Sequence, residues 1–172
     1  MLANFYLAQG DLDAVENAFA AAQIENANQS GGPAAMYGVI ALGNYSYARG
    51  EFVRASELMS QRVNELRQFG LAASLHDALY IQAQAARALG DTAHAFDLLH
   101  QARQVAEEIQ ARRMLWQIYA ALSEMENERG NLEQANVYRE QARAVLKFIV
   151  EHTPQEFRES FLNLPNVREV MN

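Results

Sequence analysis

The residues best suited to acid–base catalysis or metal binding in this sequence are its four histidines. They are His76, His94, His100 and His152. His94 and His100 are six residues apart, so they do not share a helix face as residues three or four apart would. His76 and Asp77 are adjacent, which on a helix would splay their side chains apart. We therefore expect these histidines to form neither a catalytic cluster nor a metal site.

Other motifs that bring catalytic or cofactor-binding groups together are also missing. The chain has no cysteine, which removes thiolate nucleophiles and thiolate metal ligands. No His-Glu-x-x-His, no phosphate-binding loop and no Gly-x-Ser-x-Gly occurs. The sequence therefore predicts a protein that is not an enzyme and has no catalytic residue, metal or cofactor.

The charge balance argues against two classes of partner. The formal net charge is −7, whereas a protein that binds nucleic acid or an anionic membrane needs clustered lysine and arginine. No apolar run approaches the roughly 20 residues of a membrane-spanning helix, and no signal peptide is visible at the start. Together with the missing cysteines, these features predict a cytoplasmic protein.

A glycine recurs every 40 residues, at Gly10, Gly50, Gly90 and Gly130. Seven residues before it stand small residues: Ala3, Gly43, Ala83 and Ser123. Five residues after it stand Val15, Ala55, Ala95 and Ala135. Self-similarity at such a period is typical of stacked structural repeats. The composition, rich in alanine, leucine, glutamine, glutamate and arginine, indicates that the repeats are helical, so we predict an all-α fold.

The helices must then lie between these glycines. We expect helices over residues 1–9, 11–27, 34–49, 52–69, 73–89, 91–109, 112–129 and from 131 onward, with a loop at 28–33. Asp11, Asp91 and Asn131 are predicted N-caps, and Gly70 a helix stop. The boundary near Gln110 has no glycine or proline and is placed by the period alone. Leu132, Ala135 and Leu146 are among the residues expected to face inward from the last long helix.

The last residues, 151–172, depart from the repeat. Thr153-Pro154-Gln155-Glu156 reads as a capping box with a proline start. Pro165 should end the helix that follows, and one more turn is expected at 166–169. We predict that this segment caps the open apolar end of the repeats.

The spacing of the small residues and the glycine resembles the tetratricopeptide repeat, in a form of about 40 residues rather than about 34. The resemblance covers residues 1–150 in four units, the first lacking most of its first helix, so the chain looks like a fragment. It implies a right-handed solenoid of antiparallel helix pairs, in which the small residues let paired helices approach closely. Three positions depart from the family pattern: Val15, Arg62 and Gln82.

The resemblance also implies a partner-binding groove lined by the first helix of each unit. Its exposed positions would be thirteen, ten, six and three residues before the glycine. They correspond to Tyr37, Ile40, Asn44, Tyr47, Asp77, Tyr80, Gln84, Arg87, Gln117 and Glu124, with Ala120 and Asn127 completing the last unit. The six-before position forms a row of Asn4, Asn44, Gln84 and Glu124. Its amide side chains could donate and accept hydrogen bonds along the backbone of an extended peptide.

The predicted function is therefore a non-catalytic scaffold that binds a protein or peptide in its groove. One alternative is a regulatory or sensor arm of a larger bacterial signalling ATPase, cyclase, kinase or transcription regulator, since the segment 161–168 is similar to the ends of such proteins. A second alternative is homo-oligomerisation through an apolar edge at Phe5, Leu7 and Leu12. Ile40 and Tyr80 stand where the lysines of a carboxylate-binding repeat would be, so that ligand is not expected.

Two further features leave their role open. Trp116 is either a filler between helices or an interface anchor. Arg112 and Arg113 are expected to pair with Glu107, Glu108 or solvent.

Overall fold

The computed structural model describes residues 6–7, 10–22 and 33–172, with residues 22 and 33–37 described by their backbone alone. Within these residues the fold is all helical, as predicted, and no strand occurs. The helices are α1 (Leu12–Ala22), α2 (Pro33–Ala48), α3 (Phe52–Gln68), α4 (Ala72–Ala88), α5 (Thr92–Glu108), α6 (Arg112–Glu128), α7 (Leu132–His152), α8 (Gln155–Leu162) and α9 (Pro165–Met171). The predicted loop at 28–33 lies outside the described residues except for Pro33, which begins α2. Most of the first predicted helix, the end of the second, and Asn4 and Phe5 also lie outside them.

The chain divides into two compact units, Met1–Leu98 and Leu99–Asn172. In the first unit, α2 contacts α3, α3 contacts α4, and α2 also contacts α4 directly. In the second unit, α6 contacts α7, and α7 contacts both short helices α8 and α9. Helices that are consecutive in sequence are therefore neighbours in space, as expected of an all-α repeat. None of the described helices is both long enough and apolar enough to cross a membrane.

One type of turn connects the consecutive helices from α2 to α7. Gly50 illustrates it: its N–H donates to the Tyr47 carbonyl at 2.9 Å, and the Glu51 N–H donates to the Ser46 carbonyl at 2.9 Å. These two bonds define a Schellman motif, whose central residue must adopt a positive φ. The same two bonds and a positive φ of 65–87° recur at Gly10, Gly70, Gly90 and Gly130. The predicted turns at the recurring glycines and the helix stop at Gly70 are confirmed.

The turn at Gln110 has the same geometry without a glycine. The Gln110 N–H donates to the Glu107 carbonyl at 3.1 Å, and the Ala111 N–H donates to the Ala106 carbonyl at 2.8 Å. Gln110 adopts φ 55°, a conformation that is unfavourable for a residue with a Cβ atom. The helix boundary that was placed here from the period alone is therefore confirmed. The unfavourable backbone conformation of this turn is adopted by Gln110 instead of a glycine.

Replacing Gln110 with glycine is expected to raise the free energy of unfolding by roughly 0.5–1 kcal/mol, because glycine adopts a positive φ without a steric penalty. The opposite change, Gly90→Ala, places a Cβ at φ 87° and is expected to lower it by about 1 kcal/mol or more. Urea unfolding of both variants beside the parent chain measures the two differences. If Gln110→Gly and the parent had the same free energy of unfolding, the result would contradict the left-handed backbone conformation of Gln110.

Two of the three predicted N-cap residues make the expected side-chain bond. The Asp11 carboxylate accepts the Ala14 N–H at 3.0 Å, and the Asp91 carboxylate accepts the His94 N–H at 3.1 Å. Asn131 occupies the predicted N-cap position of α7, but its side chain makes no capping bond there. Its amide instead donates to the Glu126 carboxylate at 2.7 Å. Glu126 is buried, so it takes the nearest available donor.

The first unit is built on close contacts of α2. Its Tyr45 ring meets the Phe19 ring of α1 edge-on, with 5.4 Å between centroids. On the side of α3, a Cβ added to Gly43 would lie 2.5 Å from the Met59 methyl carbon, so the glycine makes room for a fully buried methionine. Leu7 and Leu12, predicted as part of an exposed apolar edge, are half-buried against the α1–α2 cluster. They therefore contribute to the core of this unit.

The core of the second unit is closed by the C-terminal helices. Trp116 of α6, Leu146 of α7 and Val167 of α9 form one buried cluster, and Val167 is fully buried. Phe161 and Leu162 pack against its edge. In α6, the buried Ser123 hydroxyl donates to the Ala135 carbonyl at 2.7 Å, which brings the small residues of α6 and α7 together. Within this unit, Val167 of α9 is therefore part of the buried core.

Two predictions for the last helices are wrong. Thr153 does not cap α8, since its hydroxyl donates back to the Ile149 carbonyl at 2.7 Å and Pro154 occupies the N-cap position. The hydroxyl thus bonds to a carbonyl at the end of α7 that has no partner within the helix. Because it makes this bond, it cannot at the same time cap the start of α8. Leu132, expected to face inward, is 61% exposed because it is the first residue of α7 and precedes the buried stripe that begins at Ala135. The stop before Pro165 and the helix that follows are confirmed.

Candidate partner-binding site

Four of the predicted partner-binding residues lie on two contacting helices of the first unit. They are Asn44 and Tyr47 on α2 and Tyr80 and Gln84 on α4, and all four are half-buried. Because α2 and α4 contact each other directly, these residues lie on neighbouring helices. The Gln84 amide donates to the Tyr80 hydroxyl at 2.8 Å, and the Tyr47 ring lies 5.4 Å from that of Phe52. Tyr47, Tyr80 and Gln84 therefore have contacts that hold their side chains in place, and part of the surface of all four residues stays open to solvent.

The prediction for Ile40 is wrong, because this residue is only 7% exposed. Its helix has neighbours on several sides, namely α1, α3 and α4, so that only a narrow strip remains open. Ile40 belongs to the core and cannot contact a partner. The side chain of Tyr37 lies outside the described residues.

The remaining predicted residues of the first unit are Asp77 and Arg87, both half-buried on α4. Asp77 and His76 were expected to point apart, but the His76 Nε2 lies 3.8 Å from an Asp77 carboxylate oxygen. His76 is also buried, and its Nδ1 has no hydrogen-bond partner among the described residues.

In the second unit the predicted residues lie along α6. Gln117 is half-buried, with its amide donating to the Arg113 carbonyl at 3.2 Å, whereas Glu124 is exposed. Trp116 is 5% exposed within the cluster it forms with Leu146 and Val167, so it fills the core and is not an interface anchor.

Arg112, expected to pair with Glu107, Glu108 or solvent, is exposed to solvent and pairs with neither glutamate. The Arg112 guanidinium lies over the Phe148 ring, 4.3 Å from its centroid, and His152 stacks on the same ring at 3.9 Å. An exposed guanidinium gains from an aromatic face without giving up its hydration, which makes this contact competitive with a surface ion pair. Glu107 has other partners.

Those partners form a polar network that sequence reasoning missed. The Tyr119 hydroxyl donates to the Glu107 carboxylate at 2.8 Å, and Arg103 lies 3.6 Å from the same carboxylate. Arg103 also donates to the Tyr138 hydroxyl at 3.0 Å. Both tyrosines are buried and their rings stack at 6.3 Å. The only sequence signal is the spacing of Arg103 and Glu107, which suits an ion pair on one helix but gives no hint of the two tyrosines.

This network gives the second unit a specific pH dependence. Burial, followed by the hydrogen bond and the charge of Glu107, raises the pKa of Tyr119 to about 12 from its usual value near 10. Since the folded pKa lies above the unfolded one, the stabilisation is complete below about pH 10 and is lost as the pH rises through about 12. We expect the free energy of unfolding to fall more steeply between those values than in a Tyr119→Phe variant. Thermal unfolding of both proteins across this range tests the prediction, and parallel curves would contradict it.

Three or more residues of the types that ligate metals do not converge anywhere in the part of the chain that the structure describes. Comparison of the sequence with protein-family models finds no match, and comparison with curated proteins finds none either.

Proposed function

We propose that the protein is a non-catalytic scaffold of tetratricopeptide type, which binds an extended segment of a protein or peptide on the face formed by α2 and α4. The observation that carries this proposal is the direct contact between these helices together with the half-buried state of Asn44, Tyr47, Tyr80 and Gln84. Half-buried side chains of this kind keep a polar group accessible to a partner. The right-handed solenoid and a cytoplasmic location belong to the same proposal.

Binding would use two kinds of contact. The amides of Asn44 and Gln84 can each donate and accept, so they match the alternating N–H and C=O groups of an extended backbone whatever its sequence. The two tyrosines add apolar area that ends in a hydroxyl, a combination favoured at protein interfaces. Because Gln84 and Tyr80 are already bonded to each other, little side-chain entropy is lost when a partner binds.

The partner is a separate protein or a domain of a longer parent chain. The second case corresponds to a regulatory arm of a signalling protein, and extending the sequence would distinguish the two. Homo-oligomerisation finds less support, since Leu7 and Leu12 are already half-buried within the first unit.

The experiment is a selection from a displayed library of random linear peptides, followed by titration of the enriched peptides against the parent chain and an Asn44→Ala/Gln84→Ala variant. We expect the double substitution to weaken binding about tenfold or more, because two hydrogen bonds to the peptide backbone are lost at roughly 0.5–1.5 kcal/mol each. Circular dichroism should show the same helicity for both proteins.

The matched control is Gln61→Ala/Asn64→Ala, which removes two exposed amides from the adjacent helix α3. This variant should bind the peptides as tightly as the parent. Equal affinity of the Asn44/Gln84 variant and the parent would move the binding site away from α2 and α4.

A further inference from the structure

The last two helices, α8 and α9, are attached to the second unit by a small apolar contact. All residues of α8 are described and none is buried, while α9 has one buried residue, Val167, which packs on Trp116 and Leu146. The Arg143 Nε also donates to the Val170 carbonyl of α9 at 2.9 Å. Both helices contact α7 far less than α6 and α7 contact each other. A segment with so little buried surface opens at a lower free energy than the unit that it covers.

The connection between α7 and α8 is a hinge of two residues, Thr153 and Pro154. Both have extended backbone, with ψ 134° and 142°. Proline cannot continue the helix α7, so helical hydrogen bonds do not fix the direction of the chain here. The Arg158 guanidinium closes the hinge by donating to the Thr153 carbonyl at 2.8 Å and to the Glu151 carbonyl at 3.1 Å. These bonds are exposed, and water can replace them at low cost.

Large apolar side chains on both sides of this hinge are open to solvent. Phe148, near the end of α7, is 38% exposed, and Phe157, in the first turn of α8, is 58% exposed. Leu164, between α8 and α9, is 38% exposed. Large apolar residues that are exposed as a group are typical of interaction surfaces. A second molecule that met the chain at the hinge would cover them.

We propose that two copies of the chain exchange α8 and α9, so that α9 of each copy docks on α6 and α7 of the other. Val167 of one copy then packs on Trp116 and Leu146 of the second copy. These are the contacts that the single chain makes with itself, so the exchange loses none of the core. The association involves neither the proposed peptide-binding face nor the N-terminal edge at Leu7 and Leu12, and it goes beyond the proposed function.

The short hinge explains why exchange would create a new contact as well. Because the two hinges cross between the same two bodies, they run side by side in the dimer. Phe148 and Phe157 of both copies then cover one another, which the single chain does not achieve. Short connections favour exchange of this kind, whereas longer ones suppress it.

The first test is sedimentation velocity of the whole chain after incubation over a wide range of concentration. We expect a dimer whose fraction rises with concentration. Arg158→Ala removes the bonds that close the hinge and should raise the dimer fraction severalfold, whereas a short Gly-Ser insertion after Pro154 should lower it severalfold. Arg168→Ala, an exposed loss of the same charge on α9, should leave it unchanged. A monomer at every concentration, or equal dimer fractions for Arg158→Ala and Arg168→Ala, would overturn the proposal.

The second test uses Trp116, the one tryptophan of the sequence, whose fluorescence reports whether α9 covers it. In Val167→Asp a charge prevents docking of α9, so the emission should shift to longer wavelength. Trp116→Phe has no tryptophan emission but keeps an intact α9. Adding an excess of Trp116→Phe to Val167→Asp should return the emission toward that of the parent, because α9 of the dark chain covers Trp116 of the other.

The matched control is Trp116→Phe/Val167→Asp, which is dark and has no α9 that can dock, so its addition should leave the emission unchanged. If circular dichroism shows that Val167→Asp has lost helicity, the milder Val167→Ala takes its place. A parent dimer without recovery of the emission on mixing would show that the copies associate through another surface, and the proposal would be wrong. The Asn44→Ala/Gln84→Ala variant should dimerise as the parent does, which separates this proposal from peptide binding.

Discussion

Replacing Ala95 with glutamate is expected to lower the free energy of unfolding by about 3–5 kcal/mol, the typical cost of an uncompensated buried charge. Ala95 is fully buried on α5, with no space around it for a longer side chain. For a chain of this size the change corresponds to a fall of roughly 10 °C in the melting temperature. Thermal unfolding followed by far-ultraviolet circular dichroism measures it.

The control for this prediction is Ala93→Glu on the same helix. Ala93 is exposed, so its replacement should change the free energy of unfolding by no more than about 0.5 kcal/mol. A parental melting temperature for Ala95→Glu would show that this face of α5 does not lie in a close helix–helix contact.

The second large effect is expected for Trp116→Ala, which should lower the free energy of unfolding by about 3–5 kcal/mol. The indole fills the space between Leu146 and Val167, and neither neighbour can move in without leaving its own contacts. Trp116→Phe leaves a much smaller gap and should cost less. Urea unfolding of the two variants, with the exposed change Lys147→Ala as a control, gives the comparison. If Trp116→Ala lowered the free energy of unfolding by less than about 1 kcal/mol, Trp116 would not be a core residue, and its interpretation as an interface anchor would be favoured.

The turns were predictable from sequence because their physics is local. A positive φ strongly favours glycine, so Gly50, Gly90 and Gly130 each indicate a turn independently of tertiary contacts. Gln110 carries no such signal, and only the repeat period located its turn. Buried alanines such as Ala55 and Ala135 followed from the same period.

The candidate site was predictable only in part because exposure depends on neighbours in space. Ile40 occupies a position expected to be open, yet the helices around α2 cover it. The bonds that join Tyr119 to Glu107 and Arg143 to Val170 link residues on different helices, so no spacing along one helix could reveal them.

The uniform Schellman turns have a consequence for how the protein reaches its native state. Each turn is closed by bonds between residues three and five positions apart, such as Gly90 with Arg87 and Asp91 with Ala86. A connection of this kind can form before the two helices that it joins have met. Chains dominated by such short-range contacts cross their folding barrier rapidly. Folding of either unit can thus start at any of its turns, with the neighbouring helices adding one after another.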